Sequence, residues 1–434
     1  MSRGFRFWAI GLASCTIVAC SDTDVQEPGA ATPAFSVNAG NEQVMAGEVI
    51  VKLKDGADEA ATASAHGAKV GEHGYGRAFV VFHGNAGNEH ALAAQLRKDS
   101  RVEYAEPNYL RQAEAIDPRL WAFRNPGGLN MTYSSGANRG KPLGASYASV
   151  ADADEDNVEG YAAGGAAVKI ASIDTGVDMD HPELVGRTIA GFDYYSNDSD
   201  PNDEEGHGSH TTGTMIGTNV GVAGVAGAAA NVKVVVYRVC GRRGCPTTAI
   251  VNAIRAAADQ GVVAINMSLG GSSESQAEKD AIAYAVGKNV VVIASAGNDG
   301  TGTVSCPACD PNAVSVAATQ WQDKLASYSN WGAGLDISAP GGNCYSNTSA
   351  EGCIYSAYLN GGYTYMQGTS MAAPQVTGTA AIVASVTGLR GTALRDRLLN
   401  TADDKGASGY DTSFGWGRLN SYRAVTGSSL AAGQ

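Results

Sequence analysis

Short apolar runs at residues 167–173, 232–239, 261–267 and 290–295 recur along the chain, with Ala-rich, helix-forming stretches between them. A strand buried on both faces reads as a continuous apolar run, because neither face meets water. Strands of that kind separated by helices pair in parallel, with the helices covering both faces of the sheet. Residues 115–430 are therefore expected to be α/β, a parallel sheet between two helical layers. Such sheets place reactive side chains at the carboxyl ends of their strands. Asp174, Asn266 and Asn298 all fall there.

Residues 47–111 are patterned differently. Residues 48–53 alternate as a strand does, 57–67 are Ala-rich and helical in character, 77–82 form a second strand, 90–98 a second helix, and 101–109 a closing strand. Two β-α-β halves predict a small ferredoxin-like α+β unit, with too little core to be more than marginally stable alone. His66, His73, His83 and His90 all lie in it. They read first as incidental surface histidines; the second reading is that their protonation in mild acid weakens the unit's hold on the acidic remainder of the chain or unfolds it.

The first twenty residues have the character of a signal peptide. Arg3 and Arg6 precede an apolar stretch, 7–19, that is too short to span a bilayer. It ends Val18-Ala19-Cys20, which is similar to a bacterial lipobox, so Cys20 is expected to be lipidated and to anchor the chain before processing. Residues 21–46, rich in Ala, Gly, Pro and acids, read as a flexible linker. The formal net charge of −13 argues against nucleic acid as a partner. Export suits the cysteines too. Beyond Cys15 and Cys20 there remain Cys240, Cys245, Cys306, Cys309, Cys344 and Cys353, whose close spacing favours bridges 240–245, 306–309 and 344–353.

Three motifs carry chemistry. Ile173-Asp174-Thr175-Gly176 puts a carboxylate at a strand end. Gly206-His207-Gly208-Ser209-His210 opens a helix of small residues, and Gly368-Thr369-Ser370-Met371-Ala372-Ala373-Pro374 opens another. A serine at a helix N-terminus lies beside unpaired backbone N–H groups and the positive end of the dipole. Ser370 needs a neutral imidazole to take its proton, and His207 is that candidate. A buried carboxylate on the other ring nitrogen would fix the tautomer, the part that suits Asp174. Asn298 and the Ser370 N–H could then bind a developing oxyanion.

The order Asp, His, Ser with these motifs resembles the subtilisin-like serine proteases (subtilases), whose triad order is well known. The ending Thr412-Ser413-Phe414-Gly415-Trp416-Gly417 is similar to the family's closing motif. The resemblance implies a seven-stranded-type parallel sheet, an inhibitor prosegment over 47–111, and self-processing between residues 110 and 120. It implies a monomeric, secreted or cell-envelope endopeptidase acting on proteins and peptides, with no cofactor for catalysis. Ser268, Leu269 and Gly270 look like one edge of the substrate cleft, and Gly244 like the other. Neither segment holds an acid, so apolar or aromatic side chains are expected at the cleaved position. The loop Asp198-Ser199-Asp200-Pro201-Asn202-Asp203-Glu204-Glu205 admits two readings, a structural calcium loop or a solvated acidic one. Two rivals remain: a metallohydrolase built on His207 and His210, and a binding scaffold on an inactive protease fold.

Overall fold

The computed structural model describes residues 35–37, 43–113, 130–132, 142–145, 165–218, 224–227, 229–320, 323–343 and 352–427. The signal, Cys20 and Cys344 lie outside them.

The N-terminal unit runs β1 (Phe35–Val37), β2 (Gln43–Leu53), α1 (Glu59–Ala65), β3 (Lys69–His73), β4 (Val80–His83), α2 (Glu89–Leu96) and β5 (Val102–Ala113). Its strands order β5-β2-β4-β3, all antiparallel, which is the expected ferredoxin-like arrangement. The linker read over 21–46 is shorter than its composition suggested. Phe35 pairs opposite Met45 and Val37 opposite Gln43, the apolar–polar–apolar Phe-Ser-Val run being enough to add a strand. Strand β2 alternates as a pleat requires. Val49 and Val51 join Phe82, Leu96 and Val102 in the unit's own core. Ile50, between them, belongs with Phe79 and Val81 to an apolar cluster that includes Ala253, Ala257 and Ala281 of the larger domain.

A short hairpin follows, β6 (Asn130–Thr132) and β7 (Pro142–Ala145). The larger domain then contains β8 (Val168–Asp174), β9 (Thr188–Asp193), α3 (His207–Ile216), β10 (Val232–Arg238), β11 (Cys245–Pro246), α4 (Thr247–Asp259), β12 (Ala264–Met267), β13 (Leu269–Gly270), α5 (Gln276–Gly287), β14 (Val291–Ser295), β15 (Ala313–Thr319), β16 (Ile337–Pro340), β17 (Ile354–Tyr358), β18 (Gly362–Met366), α6 (Thr369–Thr387), α7 (Gly391–Asn400) and α8 (Ser421–Thr426).

Seven of these strands form one parallel sheet, in the order β16-β15-β14-β12-β8-β10-β9. One face packs on α6, whose Ala372, Val376, Ala380 and Val383 lie in the larger core. Small residues let this helix approach closely: a Cβ at Gly378 would sit 2.9 Å from Val225. The other face packs on α4 and α5. No helix among the described residues is long and apolar enough to cross a membrane.

Candidate active site

Three neighbouring strands of the sheet end at the same rim. Strand β8 delivers Asp174, β12 runs into Ser268, and β14 into Asn298. Helices α3 and α6 start on that rim with His207 and with Thr369-Ser370. All the expected site residues therefore come from one edge of the sheet.

Asp174 Oδ1 lies 2.6 Å from His207 Nδ1 and also accepts the Thr175 N–H at 2.7 Å. Its other oxygen accepts the Thr211 hydroxyl at 3.2 Å. An ionised acceptor on Nδ1 requires the proton there, so Nε2 is the ring's acceptor atom. Nε2 is buried and has no hydrogen-bond partner among the described residues. Burial by itself would lower the His207 pKa. The charge and hydrogen bond of Asp174, with Asp203 further off, outweigh burial and hold it above the ordinary histidine value.

The approach to His207 is set by residues that the motif reading missed. Asp203, almost fully buried, accepts hydrogen bonds from the Thr175 hydroxyl, the Glu205, Gly206 and Ser209 N–H groups and the Ser209 hydroxyl, at 2.7–2.9 Å. Gly206 adopts φ +91°, and a Cβ there would meet the Tyr358 ring at 2.0 Å. His210 is a neutral donor, pushed down to about 3 by burial and by the charge of His207, with Nε2 3.0 Å from the Ile354 carbonyl. That contact commits Nε2 to the Ile354 carbonyl.

Ser370 and Ser268 bind each other twice. Ser268 Oγ donates to the Ser370 carbonyl at 2.8 Å, and Ser370 Oγ donates to the Ser268 carbonyl at 3.3 Å. Asn266 completes the arrangement by donating to Ser268 Oγ at 3.0 Å and accepting the Thr377 hydroxyl at 3.1 Å. Asn298 Oδ1 accepts the Thr369 N–H at 2.9 Å and its hydroxyl at 3.1 Å. Because the Thr369 amide can only donate, the side-chain oxygen must face it, and the amide nitrogen is the donor on the other side. Thr369, inside the serine motif, went unread in the sequence.

The two expected cleft edges are occupied by the chain itself. Strand β13 pairs with β5, Leu269 opposite Ala113 and Gly270 opposite Gln112. On the other side β11 pairs with β5, Cys245 opposite Arg111 and Pro246 opposite Leu110. Gly244 falls one residue before this pairing, at φ +94°, and exchanges two backbone bonds with Gly241 inside the Cys240–Cys245 disulfide loop. The Cys306–Cys309 disulfide also forms, and Cys306 exchanges both backbone bonds with Gly271. Cys353 is disulfide-bonded as well; Cys344, the partner expected for it, is outside the described residues.

The acidic loop does not fit a cation at Asp203, whose oxygens are taken by five N–H and O–H donors. Glu204 pairs with Arg238 at 2.7 Å, and Asp198 accepts the Asp200 N–H at 2.8 Å. Among the described residues no group of three or more His, Cys, Asp or Glu side chains is arranged to hold a metal.

A subtilase-family model matches residues 165–417, more than half of the chain. The chain belongs to the subtilase family. A model of the fervidolysin N-terminal prodomain matches residues 30–108. This subtilase is 36% identical over 416 residues to the thermophilic serine proteinase of Bacillus sp. (strain AK1), covering 94% of each chain. It is 39% identical to thermitase of Thermoactinomyces vulgaris, over 60% of this chain and 89% of that one. Among solved structures it resembles fervidolysin from Fervidobacterium pennivorans, described as a keratinolytic enzyme related to subtilisin, with a TM-score of 0.70 and 25% identity over 91% of this chain and 62% of that one. The protein is thus a serine protease made as a zymogen, with residues 30–108 as its prodomain and peptides as its substrates. Subtilases need no cofactor for catalysis.

Proposed function

We propose that Ser370, His207 and Asp174 are the catalytic triad of this protease, with Asn298 and the Ser370 N–H as oxyanion donors. The observation that carries the reading is the 2.6 Å Asp174–His207 contact, which presents an unpartnered Nε2 at the rim where Ser370 begins its helix. As Ser370 Oγ attacks the scissile carbonyl carbon, its proton passes to His207 Nε2, and the carbonyl oxygen takes the negative charge facing Asn298. The C–N bond then breaks, and the Nε2 proton moves to the departing amine. An acyl-enzyme on Ser370 Oγ remains. Water, deprotonated by the same nitrogen, releases the acid and restores the serine.

The same proposal assigns export to residues 1–20 and lipidation to Cys20, which would tether the prosegment and leave the cut enzyme free, extracellular or periplasmic. Arg3, Arg6 and the apolar stretch before Ala19-Cys20 support it. A serine-directed fluorophosphonate tests the triad. The expected result is one covalent adduct on Ser370, abolished in Ser370→Ala and strongly slowed in His207→Ala. An adduct on another residue, or equal labelling of His207→Ala, would overturn the reading.

A further inference from the structure

Asp203 stands outside the proposed triad, yet its carboxylate joins the two segments that carry Asp174 and His207. Oδ1 accepts the Thr175 hydroxyl and the Glu205 N–H at 2.9 Å and the Gly206 N–H at 2.8 Å. Oδ2 accepts the Ser209 N–H at 2.8 Å and the Ser209 hydroxyl at 2.7 Å. Burial raises the Asp203 pKa above the ordinary aspartate value, against the pull of these donors. Three of the five donors are backbone N–H groups, with at least one on each oxygen. Both oxygens must therefore accept, which is the pattern of an ionised carboxylate.

The two hydroxyls pass this hold on. Thr175 Oγ1, its proton committed to Asp203, accepts the Gly208 N–H at 2.8 Å, and Ser209 Oγ accepts the Asp178 N–H at 2.9 Å. Covalent neighbours close the ring: Thr175 follows Asp174, and Gly206 and Gly208 flank His207. The backbone on either side of His207 is thus fixed relative to Asp174, on one side by Asp203 itself and on the other through Thr175. The approach is close, since a Cβ at Gly208 would lie 2.0 Å from the Gly176 carbonyl oxygen and 3.1 Å from the Asp174 Cβ. We propose that Asp203 is a positioning residue of this protease, acting through the Thr175 hydroxyl to hold His207 against Asp174. The inference rests on the triad reading above. A general base displaced by about 1 Å can lose about 10² in rate, so a group that never meets the substrate can still govern kcat.

The test is steady-state kinetics on Asp203→Asn, Thr175→Val and the double variant, expressed as full chains, with kcat taken per site labelled by the fluorophosphonate. Asparagine keeps the shape of aspartate, but in either flip its amino group would face an N–H donor. Valine keeps the shape of threonine and removes the hydroxyl. Each single variant should lose about 10² in kcat with KM little changed. The double variant should lose no more than the worse single one, because the two side chains act as one unit. Full kcat in Thr175→Val, or a double variant that loses the product of the two single losses, would overturn the proposal while the adduct on Ser370 leaves the triad standing. An adduct on another residue would overturn the triad reading, and the proposal with it. Where Asp203→Asn does not fold, Thr175→Val and Thr175→Ser decide between them. Serine keeps the hydroxyl and should recover most of what valine loses, and equal kcat in the two would overturn the proposal.

Discussion

Glu106 of the prosegment caps a helix of the peptidase domain: its carboxylate accepts the Ala277 N–H at 2.6 Å, across 171 positions of sequence. The same carboxylate satisfies Gln276 and Ser275. It therefore supplies what a good N-cap residue would, from a different domain. Glu106→Ala should cost about 1–2 kcal/mol of prosegment grip, a 5- to 30-fold change. The expected outcome is faster appearance of activity from the processed but still associated complex, followed with a chromogenic peptide. An unchanged lag would show that the cap contributes nothing.

Glu106 gives that grip an expected pH dependence of its own. His66, His73 and His83 lie 2.9, 2.7 and 3.2 Å from Asp99, Glu59 and Glu72, partners that are all within the prosegment. Burial, only partly offset by its three donors, raises the Glu106 pKa above 4.5 in the complex. A carboxyl whose pKa rises on association takes up a proton, so association is favoured at low pH and weakens as pH climbs from about 4.5 through the raised value. Mild acid should slow release of the cut prosegment, measured as the activation lag between pH 5 and 8. Faster release in acid would contradict this.

On the proposed triad, hydrolysis needs neutral His207, whose pKa is raised above the usual 6.5. The acid limb of kcat/KM should therefore have its midpoint above 6.5, with activity rising as pH rises through it. Asp174→Asn should cut kcat by about 10⁴, the magnitude known for subtilisin and trypsin. A midpoint at or below 6.5 in the wild type would remove Asp174 from its charge-stabilising role.

The proposed oxyanion role of Asn298 and its hold on Thr369 are two jobs that substitution can separate. Asn298→Asp keeps the oxygen that accepts from Thr369, and Asn298→Ala loses it. Both should lose about 10²–10³ in kcat with little change in KM, the magnitude known for subtilisin itself. Only the alanine variant should also lose Tm, since it leaves the first turn of α6 without its acceptor.

Cys306 is joined by backbone bonds to Gly271, beside the Ser268-to-Gly270 edge. A loop as short as 306–309 contributes about 2 kcal/mol of stability on the chain-entropy model. Replacing Cys306 and Cys309 with serine should lower Tm by only a few degrees. KM should rise, because the wall next to that edge loses its brace. An unchanged KM would limit the bridge to a stability role.

Much of this was legible in the sequence, for local reasons. The apolar run that ends at Asp174 gave its strand, and small-residue helices opening at His207 and Ser370 gave their positions. Strand β3 was not legible, because Lys69–His73 is mostly exposed and shows no alternation. Nor were the roles of Glu106 and Asp203. Each reads as one more acid until the fold brings the N–H groups of distant or looping backbone to it. The Ser268–Ser370 exchange spans 102 positions and leaves no periodic trace.

Strand β5 runs as a middle strand between β11 and β13, the two edges expected to hold substrate. A protein that takes its place must offer several consecutive residues with both backbone edges bare, which neither an intact helix nor an inner strand can do. If substrates bind between those same edges, what this protease senses in a folded target is the frequency with which a short stretch comes loose. A target's resistance should follow its local opening free energy more closely than its composition. Damaged and unfolding proteins would be consumed first, and well-folded neighbours spared, without any recognition of sequence.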